Sequence, residues 1–214
     1  MPEVLLLGAG GLAREVAAAA SGYWRVVGML DDDPALHGTR LGGVEVLGGI
    51  DSAASRTERL LVCIGSGSAR RGIVERLAAL GVDEERYARF VDDSVRTPAG
   101  VEVGAGSIVL AGSVLTADLR VGRHVVLMPN VVLTHDDVVE DYVTLAAGVA
   151  VGGYAVLRTE SYLGMNSSVR QRTTVGVGAV VGMGAAVVSD IPDGETWAGV
   201  PARPLDTHRK ARTQ

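Results

Sequence analysis

Residues 101–139 read VEVGAGSIVLAGSVLTADLRVGRHVVLMPNVVLTHDDVV. Stepping by six from Val103 meets Val109, Leu115, Val121, Leu127, Leu133 and Val139. The series continues through Leu145, Val151, Leu157, Leu163, Val169, Val175 and Val181 to Val187. All fifteen positions are Val or Leu, without a gap or an insertion. The residue two before each marker is often small, as at Ser107, Ser113 and Ala155, and the residue after it is often glycine, as at Gly104, Gly122 and Gly152. A period of six is the signature of a parallel β-helix, in which each hexamer is a short strand and a turn. Three hexamers make one triangular coil. Five such coils, stacked at the ~4.8 Å spacing of paired strands, predict a prism about 24 Å tall. The markers are its core, each contributing on the order of 1.5–3 kcal/mol before ordering entropy is subtracted. Chemistry must then lie on polar residues that break the plain pattern.

Upstream the rhythm is different. Val4–Leu7, Val26–Leu30 and Leu60–Ile64 read as short buried strands, and Val44–Leu47 as a further short one. Leu12–Ser21 and Ala69–Leu80 carry apolar residues at helical spacing, the second at Ile73, Val74, Leu77 and Leu80. Ser52–Thr57 reads as a helical turn. Strands alternating with helices predict a small parallel sheet with helices on its faces. The expected organisation is an α/β domain over 1–92, the prism over 93–205, and a tail over 206–214 that is basic from His208 to Arg212.

Two glycine-rich turns, Gly8-Ala9-Gly10-Gly11 and Gly65-Ser66-Gly67, follow strands and precede helices. Such turns aim backbone N–H groups at an anion. The first is close to a dinucleotide fingerprint, and Asp31 follows where an acid would take ribose hydroxyls. NAD, another nucleotide such as a nucleotide sugar, and a ligand-free tight turn all remain open, although fewer than 90 residues leave no room for two mononucleotide-binding halves. Asp32 is a further candidate contact.

The net charge is −5 and the pI about 5.4, which excludes a general nucleic-acid binder. The single cysteine, Cys63, cannot form an internal disulfide. It sits in an apolar run as a small buried side chain. No apolar run approaches the ~18 residues of a membrane span, and no basic leader precedes Val4. A cytoplasmic protein is expected. In the prism, polar residues cluster at Thr134-His135-Asp136-Asp137, with Glu140, Asp141, Tyr142 and Thr144 just after. His135 follows its marker by two, so it lies at a turn and points outward. With acids beside it, it is either a general base with a fixed tautomer or a plain surface histidine. No second histidine lies three to five residues away, so no metal site is expected.

Taken together, Gly8–Gly11 with Arg14-Glu15-Val16, Leu30-Asp31-Asp32-Asp33-Pro34, the hexads with Thr134-His135-Asp136, Gly164-Met165-Asn166-Ser167 and Ala198-Gly199-Val200-Pro201-Ala202-Arg203 resemble the sugar O-acyltransferases of the sialic-acid type. That family includes N-acetyltransferases of UDP- and GDP-linked 4-amino sugars in bacterial glycan synthesis. The resemblance covers residues 3–205. It implies a left-handed β-helix, a homotrimer with its site between subunits, and acetyl-CoA as donor. It implies that the α/β domain holds the acceptor's nucleotide, through Gly8, Gly10, Gly11, Asp31, Asp32, Gly65 and Ser66. His135 matches the general base, Asp136 the acid that orients it, and Gly153 the N–H donor to the oxyanion. Met165, Gly182, Gly199, Pro201 and Ala202 fall where the family lines its CoA channel. Two positions depart: members often carry a polar residue seven before the base and a second histidine nine after it, where this chain has Met128 and Thr144. Transfer to a hydroxyl, as on sialic acid, is therefore an alternative, and so is a non-catalytic nucleotide-sugar-binding trimer.

Overall fold

The computed structural model describes residues 1–20, 22 and 24–205. The expected tail over 206–214 and the end of the first helix at Ser21 lie outside the described residues.

The amino-terminal part is a three-stranded parallel sheet in the order β2-β1-β3, with β1 at Glu3–Leu7, β2 at Arg25–Leu30 and β3 at Arg59–Val62. Alternation along β1 sorts its side chains between two cores. Val4 and Leu6 pack with helix α1 (Gly11–Ala19), and Leu5 and Leu7 pack with helix α2 (Gly67–Ala79). The expected strand at Val44–Leu47 is a two-residue strand at Val44–Glu45, paired antiparallel with Arg40–Leu41. The turn expected at Ser52–Thr57 is a 3-10 helix at Ile50–Ser55. Leu80 differs from its expected place on the α2 core face: it caps the helix and is 49% exposed. The fourth core position of α2 belongs instead to Arg70, one turn before Val74, which is fully buried.

From Glu102–Val103 to Ala186–Val187 the chain makes fifteen two-residue strands, each ending on a marker. Each of the first twelve pairs in parallel with the one 18 residues on, as Val103 with Val121 and Val121 with Val139. Three sheets result, which are the three faces of a prism with five coils. All fifteen markers are buried in one core. One face is longer. Below, it takes in the strand Phe90–Val91, and above it ends in the hairpin of Thr196–Ala198 with Arg203–Pro204. This face carries the amino-terminal domain. Its outward residues Ile108, Val126 and Thr144 are buried, whereas Val114 and Val138, outward on the other faces, are exposed. Ile108 and Val126 share a core with Val4, Leu6 and Val16. Among the described residues, no helix is long and apolar enough to cross a membrane.

Candidate active site

Each corner between Val103 and Val187 puts the residue three after its marker at positive φ. Nine of these residues are not glycine, among them His124 at 53°, Asp136 at 61° and Tyr154 at 61°. Asp and Asn tolerate this left-handed conformation better than bulky residues do. With Asp136 in that place, His135 sits at the crest of its corner and is exposed. Its Nδ1 lies 2.8 Å from Asp136 Oδ2. Nδ1–H therefore donates to the carboxylate, and Nε2 keeps its lone pair.

Gly153 lies one coil above, buried beneath the imidazole. A Cβ there would stand 2.6 Å from His135 Cε1 and 2.7 Å from Nε2, so only glycine lets the ring lie over this backbone. In three corners of another edge the N–H at the same place is taken by a carboxylate: Arg123 N–H donates to Asp141, Thr159 N–H to Glu140 and Val177 N–H to Asp193. Gly153 N–H has no such partner among the described residues. Tyr154 stands edge-on to the His135 ring at 5.2 Å, and Arg172 covers the other part of the Tyr154 ring at 4.5 Å. A lone pair and an open N–H on one outward corner can move a proton and meet a developing negative charge.

Asp137 is the member of the cluster whose part the sequence analysis missed. It occupies the inward position two before Val139 and is 1% exposed. Oδ2 accepts the Thr134 N–H at 2.8 Å and Oδ1 the Ala155 N–H at 3.0 Å. Burial pushes its carboxyl up to about 6, against the lowering pull of those two N–H groups. The readable signal was an acid at a place that otherwise holds Ser, Thr, Ala, Val or Leu.

The donor-channel candidates gather at a different edge of the prism. Met165 follows the strand Tyr162–Leu163 on the long face, while His135 follows Val132–Leu133 on another. Met165 lines an apolar cavity of about 740 Å³ with Leu110, Met128, Ala146, Tyr162 and the α1 residue Glu15. Gly182 lies against Ala198, Gly199 O accepts the Ala186 N–H at 3.0 Å, and Ala202 N–H donates to Ala186 O at 2.8 Å. Pro201 lies in the same loop, whose Gly199 has φ 94°. Gly182 and Gly199–Ala202 thus cap the upper end of the edge that bears Met165.

The two glycine turns lie side by side at the carboxyl ends of β1 and β3. A Cβ on Gly8 would stand 2.9 Å from Ile64. Gly10 and Gly11 face open space, and so does Gly65. Ser66 caps α2, its Oγ accepting the Ala69 N–H at 3.3 Å. Gly65 and Ser66 line a cavity of about 440 Å³ whose far wall is Glu160 and Tyr162 of the prism. Asp31 is already committed: Oδ2 accepts the Ala9 N–H and Oδ1 the Asp33 N–H. Asp32 accepts the Ile50 N–H and pairs with Arg76 at 2.7 Å. Partial burial pushes the Asp32 carboxyl up, and these contacts outweigh it, holding it below the usual range. Both acids shape the turn.

Thr144 also serves the fold. Its hydroxyl donates to Gly65 O at 2.8 Å and accepts from Arg70 Nη1 at 2.9 Å. Arg70 further donates to the carbonyls of Ile64, Gly65, His124, Tyr142 and Val143, at 2.8–3.0 Å. No carboxylate pairs with it among the described residues; burial holds its guanidinium at about 10, still charged at neutral pH. Six acceptors thus lock the second glycine turn to the prism. Among the described residues, no three His, Cys, Asp or Glu side chains gather as metal ligands would.

The fold is shared with solved structures. The acetyltransferase domain of PglB from Neisseria gonorrhoeae, in complex with acetyl coenzyme A, is 31% identical, with a TM-score of 0.87 over 95% of this chain and 98% of that one. PerB from Caulobacter crescentus, in complex with CoA and GDP-perosamine, is 25% identical, with a TM-score of 0.84 over 96% and 98%. The chain belongs to the nucleotide-sugar N-acetyltransferases of the left-handed β-helix fold. Residues 3–77 match the model of the PglD N-terminal domain, so both parts of the chain point to one family. A UDP-3-O-acylglucosamine N-acyltransferase from a Caulobacter species is 33% identical over 106 residues, 50% of this chain and 31% of that protein. The chain thus spans about a third of that relative, and it is similar to PglB and PerB over nearly its full length.

Proposed function

We propose that this N-acetyltransferase family member moves acetyl from acetyl-CoA to the amine of a nucleotide-linked 4-amino sugar, with His135 as general base. The observation that carries the reading is the corner where His135, oriented by Asp136, lies over the open N–H of Gly153. The neutral amine nitrogen attacks the thioester carbonyl. His135 Nε2 takes the amine's proton, and Asp136 stabilises the imidazolium through Nδ1–H. The carbonyl oxygen, now carrying the negative charge, meets the Gly153 N–H, a contact of a kind worth roughly 2.7–4 kcal/mol. Collapse breaks the C–S bond, and the proton passes from His135 to the CoA sulfur.

Met165, Gly182, Gly199, Pro201 and Ala202 line the donor channel in this reading. They sit on a different edge from His135, so a donor they hold reaches the base of a neighbouring subunit, as in a homotrimer. The acceptor's nucleotide lies against the turns of Gly8, Gly10, Gly11, Gly65 and Ser66, whose open glycines let phosphate approach the backbone. Asp31 and Asp32 shape that cradle. Dependence on acetyl-CoA supports a cytoplasmic reaction. A hydroxyl acceptor is the second reading, favoured by one observation: neither Met128, which lines an apolar cavity, nor Thr144, which is buried in the domain joint, offers the acceptor an extra base.

The test is CoA release from acetyl-CoA with UDP-, GDP- and dTDP-linked 4-amino sugars, free sialic acid and serine. Turnover with one nucleotide amino sugar is expected. Turnover with sialic acid alone selects the second reading, and silence with nucleotide sugar still bound overturns both.

A further inference from the structure

The ladder between coils is regular, with one break. In the eleven other corners that have a marker one coil up, the residue just after the marker donates its N–H to that marker's carbonyl. Thr116 donates to Leu133 at 3.2 Å, Met128 to Leu145 at 2.9 Å and Gly152 to Val169 at 2.9 Å. Thr134 does not. Its N–H turns to Asp137 Oδ2 at 2.8 Å, and its hydroxyl takes over the ladder bond, donating to Val151 O at 2.9 Å. The threonine alone does not cause this, since Thr116 keeps the ordinary bond.

A second irregularity stands directly above. Several corners close on a bond from the residue two before the marker back across the turn: Val149 N–H to Ala146 O at 3.3 Å, Ser161 to Arg158 at 3.0 Å, Ala179 to Gly176 at 3.1 Å. At the corner bearing Gly153, the corresponding Ala155 N–H goes down instead, to Asp137 Oδ1 at 3.0 Å. One carboxylate therefore holds both turns, the one with His135 and the one with Gly153. Ser107, a serine at this place, bonds only to the coil above: its Oγ accepts the Val125 N–H at 2.9 Å and donates to Gly122 O at 2.8 Å. Burying a carboxylate costs stability even when it is hydrogen-bonded, and valine fills the same place without that cost at 125, 131, 143 and 149.

We propose that Asp137, with Thr134 as its partner, is a positioning residue for acyl transfer: it draws the Thr134 N–H out of the ladder and ties down the Gly153 turn, so that His135 is held over the Gly153 amide. The proposal rests on the acyl-transfer reading of this corner. Displacement of reacting groups by about 1 Å costs on the order of 10²-fold in rate.

The experiment compares wild type with Asp137→Val, Asp137→Ser and the double variant Thr134→Val with Asp137→Val. Steady-state kinetics are measured with the acceptor that turns over, and exchange of the Thr134 and Ala155 amides is followed by NMR. Asp137→Val is expected to fold with an unchanged or higher thermal midpoint. Its kcat should fall about 10- to 100-fold, its KM for acetyl-CoA should stay within about twofold, and Ala155 should lose protection. Asp137→Ser, which keeps the upward bond, should fall between. The double variant should lose no more than Asp137→Val does, because the two residues act as one unit. Turnover of Asp137→Val within about twofold of wild type overturns the proposal, as does a loss that only tracks a fall in thermal midpoint. If wild type transfers acetyl to no acceptor, the acyl-transfer reading fails by itself. In that case unaltered Ala155 protection in Asp137→Val overturns the tie, and its loss retains it.

Discussion

His124 and His135 lie eleven residues apart, two corners on along the same prism, and they do opposite things. His124 stands three after its marker, at positive φ, and is fully buried where the amino-terminal domain meets the prism. Tyr142 stacks on its ring at 5.2 Å and Tyr87 meets it edge-on at 4.7 Å. Among the described residues neither ring nitrogen has a hydrogen-bond partner, with Glu84 Oε1 3.5 Å from Nε2, and burial first, then Arg70 and Arg123, hold it down to about 4. His135 stands two after its marker, is 57% exposed and bonds to a carboxylate. The residue type is the same in both places. One register position and the presence of a covering domain make one ring a neutral packing group and leave the other a usable lone pair.

The contrast can be broken from either side. His135→Ala should have the largest effect, a loss of about 10²–10⁴-fold in kcat with nucleotide-sugar binding retained, measured by CoA release and calorimetry. At the joint, Arg70→Ala removes a donor from each of five carbonyls and from the Thr144 hydroxyl. It should cost about 3–5 kcal/mol, the scale for breaking a buried charged network. Denaturant unfolding should then show the amino-terminal domain melting before the prism. Gly153→Ala should lower kcat about 10- to 100-fold, because the methyl displaces the His135 ring. Gly153 is not at positive φ, so the thermal midpoint should barely move.

The smallest effect sharpens the comparison most, because it has two signs. His124 has its folded value lowered to about 4 from the usual 6.5. The unfolded chain therefore binds the extra proton, and stability is lost as pH falls through 6.5 toward 4, by about 1 kcal/mol at pH 5.5. Asp137 has its folded value raised to about 6 from 3.8. Here the folded chain binds the extra proton, and stability is gained as pH falls from 6 toward 4, again by about 1 kcal/mol at pH 5. In wild type the two oppose each other. Relative to wild type, His124→Asn should gain stability as pH falls from 7 to 5, while Asp137→Val should lose it. Chemical denaturation at the two pH values measures both, and parallel slopes would refute the assignment.

The prism was legible because its cause is local and repeated. Every sixth side chain must be aliphatic to fill a triangular core, and fifteen of fifteen are. The His135-Asp136 pair was legible for the same reason, since counting from Leu133 places both at a corner. Gly153 could be placed by adding 18, one turn of the coil. Arg70 and Thr144 were not legible. Helical spacing put Leu80 on the core face of α2, but the helix ends there, and the buried side chain one turn before Val74 is an arginine satisfied by carbonyls from distant segments. No local pattern announces carbonyls brought together by two domains. Asp31 and Asp32 read as ligands because of their spacing from Gly8, and what spacing could not show is that neighbouring N–H groups and Arg76 already occupy them.

Sequence by itself determined the parallel α/β sheet, the number of coils, the inward and outward faces of each hexad, and the corner on which a base can stand. These follow from periodicity and from the geometry of a strand repeating every 18 residues. The tertiary structure decided which prism face is covered and therefore which histidine is buried. It also decided that Arg70 and Thr144 close the joint, and that Asp137 takes the Thr134 N–H out of the ladder. Each of those outcomes depends on where unpaired backbone groups from separate coils and domains finally meet, and a buried polar group is tolerated only where such a partner waits for it.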